Sequence, residues 1–559
     1  MFENILRINS PSRLFWVILT LFLAVLILLP RLALLFNAPE VERIADTYTK
    51  ETFALLQAAS EDRLSEFILS IHKYPLAGSF LAAPVVGLYY FYGKISGRFE
   101  NPALFAESFV LGKTSLSFWF RFEAFLFNLA ALFLIFASAQ KFSPDLKFSG
   151  FFSLLLALAS FHVTALSVSP RIHNLVFLFS ALTLFLSLNY YRKPSFLNLI
   201  LAFSSAGLAF ASSQSGLPAV FLPLAALFFV WKDSKVAGSR FLVGLLVFAF
   251  VSLLVGYPGV FPAYFSGNLG QISQFFLSPE HSEPALSFLG LFTLLRDWVL
   301  ALELAWLWPL AVLIVLAFFG KRSFKLEPPD WLAIIHIISF LIIFGLSSVT
   351  VGRFGLAIMP SVFFLAGRII SRLSDRTWFA LPLSLFVAIG PLINLGLTRA
   401  ALGGDTRAQA ASFIERETSP EDRIISTIDH RSLGVTAIPE SIKRSASARG
   451  QADKYILENN LIVPESRDFY FWDSSIQSAD SVDWENFSLV VLTKPALAQS
   501  LGPVFSENGF ILVEQFSPYR FDSSHRPDYF NWDPGEDLAS NIFYLDRFGP
   551  PIYIFKRTK

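Results

Sequence analysis

The chain has no cysteine, and its charged residues are scarce at 16% of 559 residues. The absence of cysteine excludes disulfides, thiolate metal ligands and thiol catalysis. Ordinary soluble domains carry about 25% charged residues, so the chain is poor in charge by that measure. Its net charge of +1 creates no strong field, and no nucleic-acid partner is therefore expected.

Apolar side chains are what the sequence has in excess. Hydrophobic residues make up 54% of the chain and 63 residues are Phe, with a mean hydropathy of +0.55. A single soluble core cannot bury so much apolar surface, whereas a bilayer can. The sequence predicts a mainly α fold: a polytopic transmembrane bundle of about 11–13 helices, followed by a C-terminal soluble α/β domain.

Runs of about 20 apolar residues predict spanning helices, because backbone polar groups must pair internally in lipid. The predicted spans are Leu14–Pro30, Tyr74–Gly93, Ser117–Gln140, Phe148–Val168, Ile172–Tyr190, Phe196–Ala211, Leu217–Trp231, Phe241–Gly256, Trp298–Gly320, Trp331–Val351, Phe354–Gly367 and Trp378–Leu397. The first run has no cleavage site and is expected to remain as an anchor. Between the first two runs, residues 37–73 predict a polar loop with interfacial helices.

Basic residues orient these spans. Arg7 and Arg13 precede the first run, and Arg192 and Lys193 lie in a later short loop, so the positive-inside rule places the N-terminus in the cytoplasm and the C-terminal domain outside. That arrangement needs an odd number of spans and conflicts with the twelve runs. We expect that one segment before residue 141 is re-entrant or interfacial, or that a span escapes this count.

Composition changes at Gly403, which divides the chain into a membrane domain (1–400, with the extracytoplasmic loop 37–73) and an extracytoplasmic soluble domain (401–559). Alternating and β-branched residues predict strands, and polar periodic stretches predict helices. The strands are expected at Arg423–Ile428, Leu489–Leu492, Phe510–Gln515 and Pro551–Phe555, and the helices at Arg407–Glu417 and Ala452–Glu458. Parallel pairing is expected within this domain.

Carboxylates in the first extracytoplasmic loop are candidates for chemistry. Glu42 and Asp46 lie shortly after the first apolar run. Asp46 admits three interpretations: a general base, a ligand of a divalent metal, or a solvated loop carboxylate.

Cations form a second group of candidates, predicted on the same membrane face. His72 and Lys73 stand where the chain enters the second run, Arg171 and His173 lie in an external turn, and Arg353 lies at the outer mouth of a late span. Lys and Arg bind phosphate groups, Arg in bidentate fashion. The alternative for Lys73 is a snorkelling interfacial side chain.

Other ionisable residues lie within or beside the apolar runs. Arg121, Glu123, His162, Glu303 and His336 are expected to make packing contacts between helices rather than to line a pathway. No His-x-x-x-His or comparable spacing occurs, so a zinc site built by the protein is not expected.

Several of these segments together resemble the GT-C class of membrane glycosyltransferases, in the group of protein O-mannosyltransferases and the bacterial lipid A aminoarabinose transferase. The resemblance rests on the order of short motifs. These are Glu42-Arg43-Ile44-Ala45-Asp46-Thr47-Tyr48 in the first loop, His72-Lys73-Tyr74-Pro75-Leu76, Arg171-Ile172-His173, Arg353-Phe354-Gly355-Leu356-Ala357-Ile358-Met359-Pro360, Asp405-Thr406-Arg407-Ala408-Gln409-Ala410, and the closing segment from Gly549 to Arg557. Thr47 stands where many members have Glu, and Tyr74 replaces one Pro.

The resemblance implies a transferase that moves a sugar from a polyprenyl-phosphate carrier to an acceptor hydroxyl on the extracytoplasmic face. Asp46 would be the catalytic base. His72, Lys73, Arg171, His173 and Arg353 would bind the lipid phosphate. No cofactor is implied with certainty, and a divalent metal on Glu42 or Asp46 stays open. Membrane lipids are expected partners, and the acceptor is a protein, a lipid or a polysaccharide.

Two alternatives belong to other functional classes. A multi-span transporter would favour an internal repeat and charges at the membrane midplane, whereas the candidate charges of this chain cluster at one face. A non-catalytic assembly or sensor protein with an external domain would keep the fold and tolerate the loss of Asp46.

Overall fold

A computed structural model gives the fold of the protein. It describes residues 28–37, 47–70, 75–102, 104–105, 108, 115–143, 145–146, 149–169, 172–231, 237–266, 326–345, 352–373, 394–435, 437–444, 457, 466–474, 477–519 and 545–558.

Helices dominate the first half of the chain, as its Leu-, Ala- and Phe-rich runs predict. They are α1 (Leu28–Asn37), α2 (Thr47–Ser60), α3 (Leu64–Leu69), α4 (Ala77–Ile95), α5 (Leu116–Lys141), α6 (Ser149–Ala159), α7 (Phe161–Leu166), α8 (His173–Arg192), α9 (Phe196–Ser212), α10 (Phe221–Trp231), α11 (Ala237–Val251) and α12 (Val260–Phe265). Within the described residues, four helical stretches are long and apolar enough to cross a membrane: Leu116–Lys141, His173–Arg192, Gln214–Trp231 and Gly238–Gly256. The chain is therefore a membrane protein with the predicted helical bundle.

Side-chain contacts between α5 and α8 define the two ends of this bundle. Asn128 Nδ2 donates to Asn174 Oδ1 over 3.3 Å, and Lys141 Nζ donates to Asn189 Oδ1 over 2.7 Å. The two helices therefore run in the same direction. We call the end where α5 and α8 begin the His173 end, and the end where they finish the Lys141 end.

Two predicted spans deviate from a continuous α-helix. The segment predicted as Phe148–Val168 breaks at Ser160, which leaves the helical conformation and caps α7 by accepting a hydrogen bond from the Val163 amide at 3.2 Å. A serine hydroxyl is a favoured cap because it satisfies an amide that has no partner within the helix. The span ending at Trp231 begins as a 3₁₀ helix, Gln214–Val220, which contains Pro218 and continues into α10.

The helix α4 covers most of the predicted span Tyr74–Gly93, and two polar contacts fix it to its neighbours. The Leu76 amide, just before α4, donates to the Gly256 carbonyl at 2.9 Å, and Gly256 lies against Ala211 at the end of α9. Later in α4, the Tyr89 hydroxyl is 3.2 Å from the Ser115 hydroxyl, which precedes α5. By length and composition α4, like α6 and α9, is not among the four described stretches that could cross a membrane.

The twelve predicted spans conflict with a cytoplasmic N-terminus and an external C-terminal domain, and an interfacial α4 would leave eleven, the odd number that this arrangement requires. The orientation itself stays a prediction. The run Trp298–Gly320 lies outside the described residues, as do most of Leu14–Pro30 and Trp378–Leu397.

The late helices complete the bundle. The helix α13 covers Pro328–Gly345, a 3₁₀ helix covers Gly352–Ala357, and α14 covers Met359–Leu373. The helix α14 continues past Gly367, where the predicted span ended, and so it includes Arg368. A glycine at 367 permits this course beside α6, because an added Cβ would lie 2.0 Å from the Ser153 hydroxyl.

Arg368 is fully buried in an ion-pair network at the Lys141 end. Its Nε donates to Asp330 Oδ1 at 2.6 Å and its Nη1 to the Phe142 carbonyl at 2.8 Å, with a further bond to Ser143. Arg372 adds a second bond to Asp330 at 2.9 Å. Asp330 is also fully buried. The network therefore joins the ends of α5, α13 and α14 through charges that are shielded from water.

The C-terminal residues form a mixed five-stranded sheet with flanking helices. After the helix at residues 394–403 (α15), the elements are α16 (Thr406–Glu417), β1 (Arg423–Ser426), α17 (His430–Leu433), α18 (Pro439–Arg444), β2 (Asp468–Phe471), β3 (Leu489–Leu492), α19 (Pro495–Ser500), α20 (Gly502–Glu507), β4 (Phe510–Phe516) and β5 (Ile552–Arg557). The strand order is β2-β1-β3-β5-β4. β1 pairs in parallel with β2 and β3, while β5 pairs antiparallel with β3 and β4.

The predicted α/β domain is thereby confirmed, with two corrections. The sheet is only half parallel, because β4 and β5 return antiparallel. The strand β2 was not predicted, since no element was expected between residues 458 and 489. Most of the helix expected at Ala452–Glu458 lies outside the described residues, and Leu457 within it is helical.

Alternate residues of the strands supply two cores, one on each face of the sheet. Ile424, Val491 and Ile554 face α16 and α17. Their neighbours Ile425, Val490 and Phe555 face the opposite layer, which contains Trp472, Trp484 and Phe505.

Candidate functional site

The sequence-predicted site lies partly within the described residues. His173 is described in full, and Arg353 lies in the 3₁₀ helix Gly352–Ala357. Glu42, Asp46, His72, Lys73 and Arg171 lie outside the described residues. The geometry of the site therefore rests on their described neighbours in the chain.

His173 joins the external turn to the 3₁₀ helix that contains Arg353. It is the first residue of α8 and its side chain is only 6% exposed. Its ring meets the Phe354 ring edge to face, with centroids 5.5 Å apart. Since Phe354 follows Arg353 directly, the two predicted phosphate-binding segments are in contact at the His173 end.

Ile172 joins the same turn to the helices that follow the acidic loop and Lys73. It packs into an apolar cluster with Ala82 and Val86 of α4, and Phe53 and Leu56 of α2 pack against that cluster. The helix α2 begins at Thr47, the residue after Asp46, and α4 begins four residues after Lys73. The helices that follow Asp46 and Lys73 thus meet the segments of Arg171 and Arg353 at one end of the bundle, through Phe53, seven residues after Asp46, and Ala82, nine residues after Lys73.

Asn174 holds the turn that precedes Arg171. Its Nδ2 donates to the Leu166 carbonyl at 2.8 Å and to the Ser169 carbonyl at 2.9 Å. Its Oδ1 accepts the bond from Asn128 of α5 described above. One buried amide thereby adds a donor to two carbonyls at and just after the end of α7, and links this turn to α5.

These buried amides were not among the residues predicted from the sequence. Asn394 is another: its Nδ2 lies 3.3 Å from the Ala159 carbonyl and 3.2 Å from the Thr164 hydroxyl, next to the break between α6 and α7. A signal for them existed, because an amide in an apolar run is costly to bury unless it is hydrogen-bonded. The amides Asn128, Asn174 and Asn394 carry no charge, so they do not stand out among the candidates chosen for their ionisable side chains.

Of the ionisable residues expected to pack between helices, His336 does so. Its Nδ1 lies 2.8 Å from the Ser361 hydroxyl, which links α13 to α14. Glu303 lies outside the described residues.

The C-terminal domain contacts the His173 end directly. Leu34 of α1 and Val168 of the external turn belong to one buried cluster with Leu397, Tyr519 and Leu545. A polar contact accompanies this cluster. Arg399 of α15 donates to the Leu545 carbonyl at 2.7 Å from Nη2, and its Nε lies 3.2 Å from Asp546 Oδ1. The domain is therefore fixed beside the turn that holds the candidate residues.

Comparison with known proteins finds similarity among solved structures. No protein-family model matches the chain, and no curated protein matches it. Among solved structures, the chain is similar to ArnT from Cupriavidus metallidurans in the apo state, with 14% sequence identity over 90% of this chain and 96% of that one, and a TM-score of 0.45. At that identity and TM-score, the likeness says nothing about activity.

Proposed function

We propose that the protein is a membrane glycosyltransferase of the GT-C type, which transfers a sugar from a polyprenyl-phosphate carrier to an acceptor hydroxyl at the His173 end. The observation that supports this proposal is the convergence of four segments. Ile172 packs with α2 and α4, and His173 packs with Phe354. These contacts join the helices that follow the candidate base Asp46 and the cation Lys73 to the segments of Arg171 and Arg353.

The proposed reaction assigns a role to each candidate. Asp46 takes the proton of the acceptor hydroxyl, whose oxygen forms a bond to the anomeric carbon of the sugar. The bond between that carbon and the phosphate oxygen breaks, and the lipid phosphate leaves with the electron pair. Lys73, Arg171 and Arg353 stabilise the charge that develops on the phosphate.

The two histidines have secondary roles in this proposal. His72 stands beside Lys73 as a further donor to the phosphate. His173 is almost fully covered, so it acts on the phosphate through the position of the turn that carries Arg171. A divalent metal on Glu42 or Asp46 remains compatible with the same carboxylates.

The proposal is tested by a transfer assay. The full chain is purified in nanodiscs and incubated with polyprenyl-phosphate sugars that carry a labelled sugar, together with membrane extracts as the source of acceptor. We expect label to move from the carrier to an acceptor, in proportion to enzyme. Hydrolysis without transfer, or no turnover with any donor in the presence of extract and divalent metal, would contradict the proposal.

A further inference from the structure

The C-terminal domain contains a pocket that is separate from the residues at the His173 end. Its volume is about 330 Å³, which is near the lower limit of the roughly 300–1,000 Å³ typical of small-molecule sites. The pocket lies at the β2 edge of the sheet. Its walls come from the starts of β1 and β2 and from the segment between Gln477 and Phe487.

One wall of the pocket is aromatic. Tyr470 and Phe487 both line it, and their ring centroids are 5.7 Å apart with the planes tilted by 50°. Both rings pack against the core that contains Trp472 and Trp484, so their positions are set by the fold. An aromatic ring presents a flat apolar face, against which the C–H face of a sugar ring can pack.

The other wall is polar, and its groups are already oriented. Arg423 Nε lies 3.0 Å from Asp468 Oδ2, and the Ser441 hydroxyl donates to Asp468 Oδ1 at 2.8 Å. Asn486 Nδ2 donates to Asp483 Oδ2 at 2.6 Å. A guanidinium and an amide carry several donors, and a carboxylate accepts up to four hydrogen bonds, so each pair retains capacity for ligand hydroxyls.

The charge of the lining selects among ligand classes. Arg423 supplies one positive charge, while Asp468 and Asp483 supply two negative charges, so the lining carries one net negative charge. That balance disfavours phosphates and other anions. The carboxylate of Asp468 is committed to Arg423 and Ser441, which disfavours a cation. An uncharged ligand with many hydroxyl groups fits best.

We propose that this pocket binds a neutral saccharide unit, with its apolar face on Tyr470 and Phe487 and its hydroxyls on the Arg423–Asp468 and Asp483–Asn486 pairs. The proposal goes beyond the proposed transferase activity and does not depend on it, because none of these residues takes part in the proposed reaction. A saccharide reaches such a pocket either as part of a soluble glycan or on a lipid head group.

The test is saturation-transfer NMR on the full chain in nanodiscs prepared without glycoside detergents, whose head groups would compete for the pocket. The probes are neutral methyl glycosides and short neutral oligosaccharides, and a neutral glycolipid placed in the nanodisc. For a ligand of this size we expect a Kd of the order of 1 mM. Saturation by the free oligosaccharides identifies a soluble glycan as the source, and saturation by the glycolipid alone identifies a head group.

Two variants locate the binding, and a third is their control. Tyr470→Ala removes the apolar face and Asp483→Ala removes an acceptor, and each should weaken binding by about tenfold. Asp480→Ala changes an exposed carboxylate in the adjoining 3₁₀ turn, outside the pocket lining, and should bind as the unaltered chain does. Absence of saturation by every probe overturns the proposal, as does binding that Tyr470→Ala and Asp483→Ala both leave unchanged at matched melting temperatures.

Discussion

Asn174 is the single residue on which the geometry of the external turn depends most. It is 1% exposed and bonds to Leu166, Ser169 and Asn128. In water, each of these bonds would contribute little net stability. In an apolar bundle their loss takes the side-chain donor from the Ser169 carbonyl and breaks the link to Asn128, although the unfolded chain in the membrane also finds hydrogen-bond partners.

We predict that Asn174→Ala lowers the stability of the bundle by about 1–2 kcal/mol, the range found for interhelical hydrogen bonds in model membrane peptides. The measurement is the free energy of unfolding in mixed micelles. Asn189→Ala is the matched control, since Asn189 is on the same helix but its bond to Lys141 is exposed. Equal losses in the two variants would contradict the role assigned to Asn174.

Asp422 provides a pH-dependent contribution in the C-terminal domain. Partial burial works to raise the pKa of this carboxyl, but hydrogen bonds from the Ser419 amide at 2.7 Å, the Ser419 hydroxyl and Ser488, together with the charge of Lys556, outweigh it and lower the pKa. A carboxyl whose pKa is lowered by folding stabilises the fold above its ordinary pKa of about 3.9. The contribution disappears as the pH falls through the lower pKa of the folded state.

We therefore predict that Asp422→Ala destabilises the domain at pH 7 and that the difference from the unaltered chain vanishes well below pH 4. Hydrogen exchange of the β1 amides, measured across that pH range, gives the stability of both proteins. A difference that stays constant from pH 7 to pH 3 would show that the contribution is not electrostatic.

At the scale of elements, the ion-pair network of Arg368 joins three helices at the Lys141 end. Its partners are Glu327 just before α13, Asp330 within α13, and Phe142 and Ser143 just after α5. A buried ion pair is weak evidence for net stability, because desolvation offsets much of the attraction. Removing one partner is strongly destabilising, since it leaves a buried charge uncompensated.

We predict that Asp330→Ala lowers the free energy of unfolding by about 3–5 kcal/mol. Glu327→Gln is the control. The Glu327 side chain is 56% exposed while that of Asp330 is fully buried, so this variant should cost less than about 1 kcal/mol. Thermal unfolding in detergent distinguishes the two, and a smaller effect of Asp330→Ala than of Glu327→Gln would refute a buried network.

How far the sequence predicts these elements depends on the range of the interactions that form them. The helices α5, α8 and α9 match their predicted runs within two residues, because composition alone requires them. The same holds for β3, a four-residue apolar run. The polar contacts of α4 with Gly256 and Ser115 were not predictable, since packing between distant segments sets them.

Long-range contacts explain the other differences. The bond between Arg368 and Phe142 joins residues 226 positions apart, and no local pattern signals it. The strand β2 is the four-residue segment DFYF, in which Phe469 and Tyr470 pack against opposite cores, so its sequence has no alternation of polar and apolar residues. For the candidate site, the sequence indicated the turn around Arg171 and the segment of Arg353, and their contact through His173 and Phe354 became visible only in the fold.

At the scale of the whole molecule, the C-terminal domain and the candidate residues lie at the same end of the bundle. The cluster of Leu34, Val168, Leu397, Tyr519 and Leu545 fixes this arrangement. If the basic loops at the Lys141 end are cytoplasmic, the domain and the candidate site are both extracytoplasmic.

The absence of native cysteine makes this topology simple to measure. We predict that a single cysteine at Asp480→Cys, in the C-terminal domain, reacts with a membrane-impermeant maleimide in intact cells. Lys193→Cys, an exposed position at the Lys141 end, should react only after permeabilisation. The reverse pattern would place both the domain and the candidate site in the cytoplasm.

The measurement that tests the central claim most directly is the rate of sugar transfer by Asp46→Asn relative to the unaltered chain, with Asp62→Asn in the same loop as control. The account predicts a loss of about a hundredfold or more for Asp46→Asn, the scale expected when a general base is removed, and no loss for Asp62→Asn. Equal rates for Asp46→Asn and the unaltered chain would contradict the assignment of the base and, with it, the mechanism proposed for the His173 end.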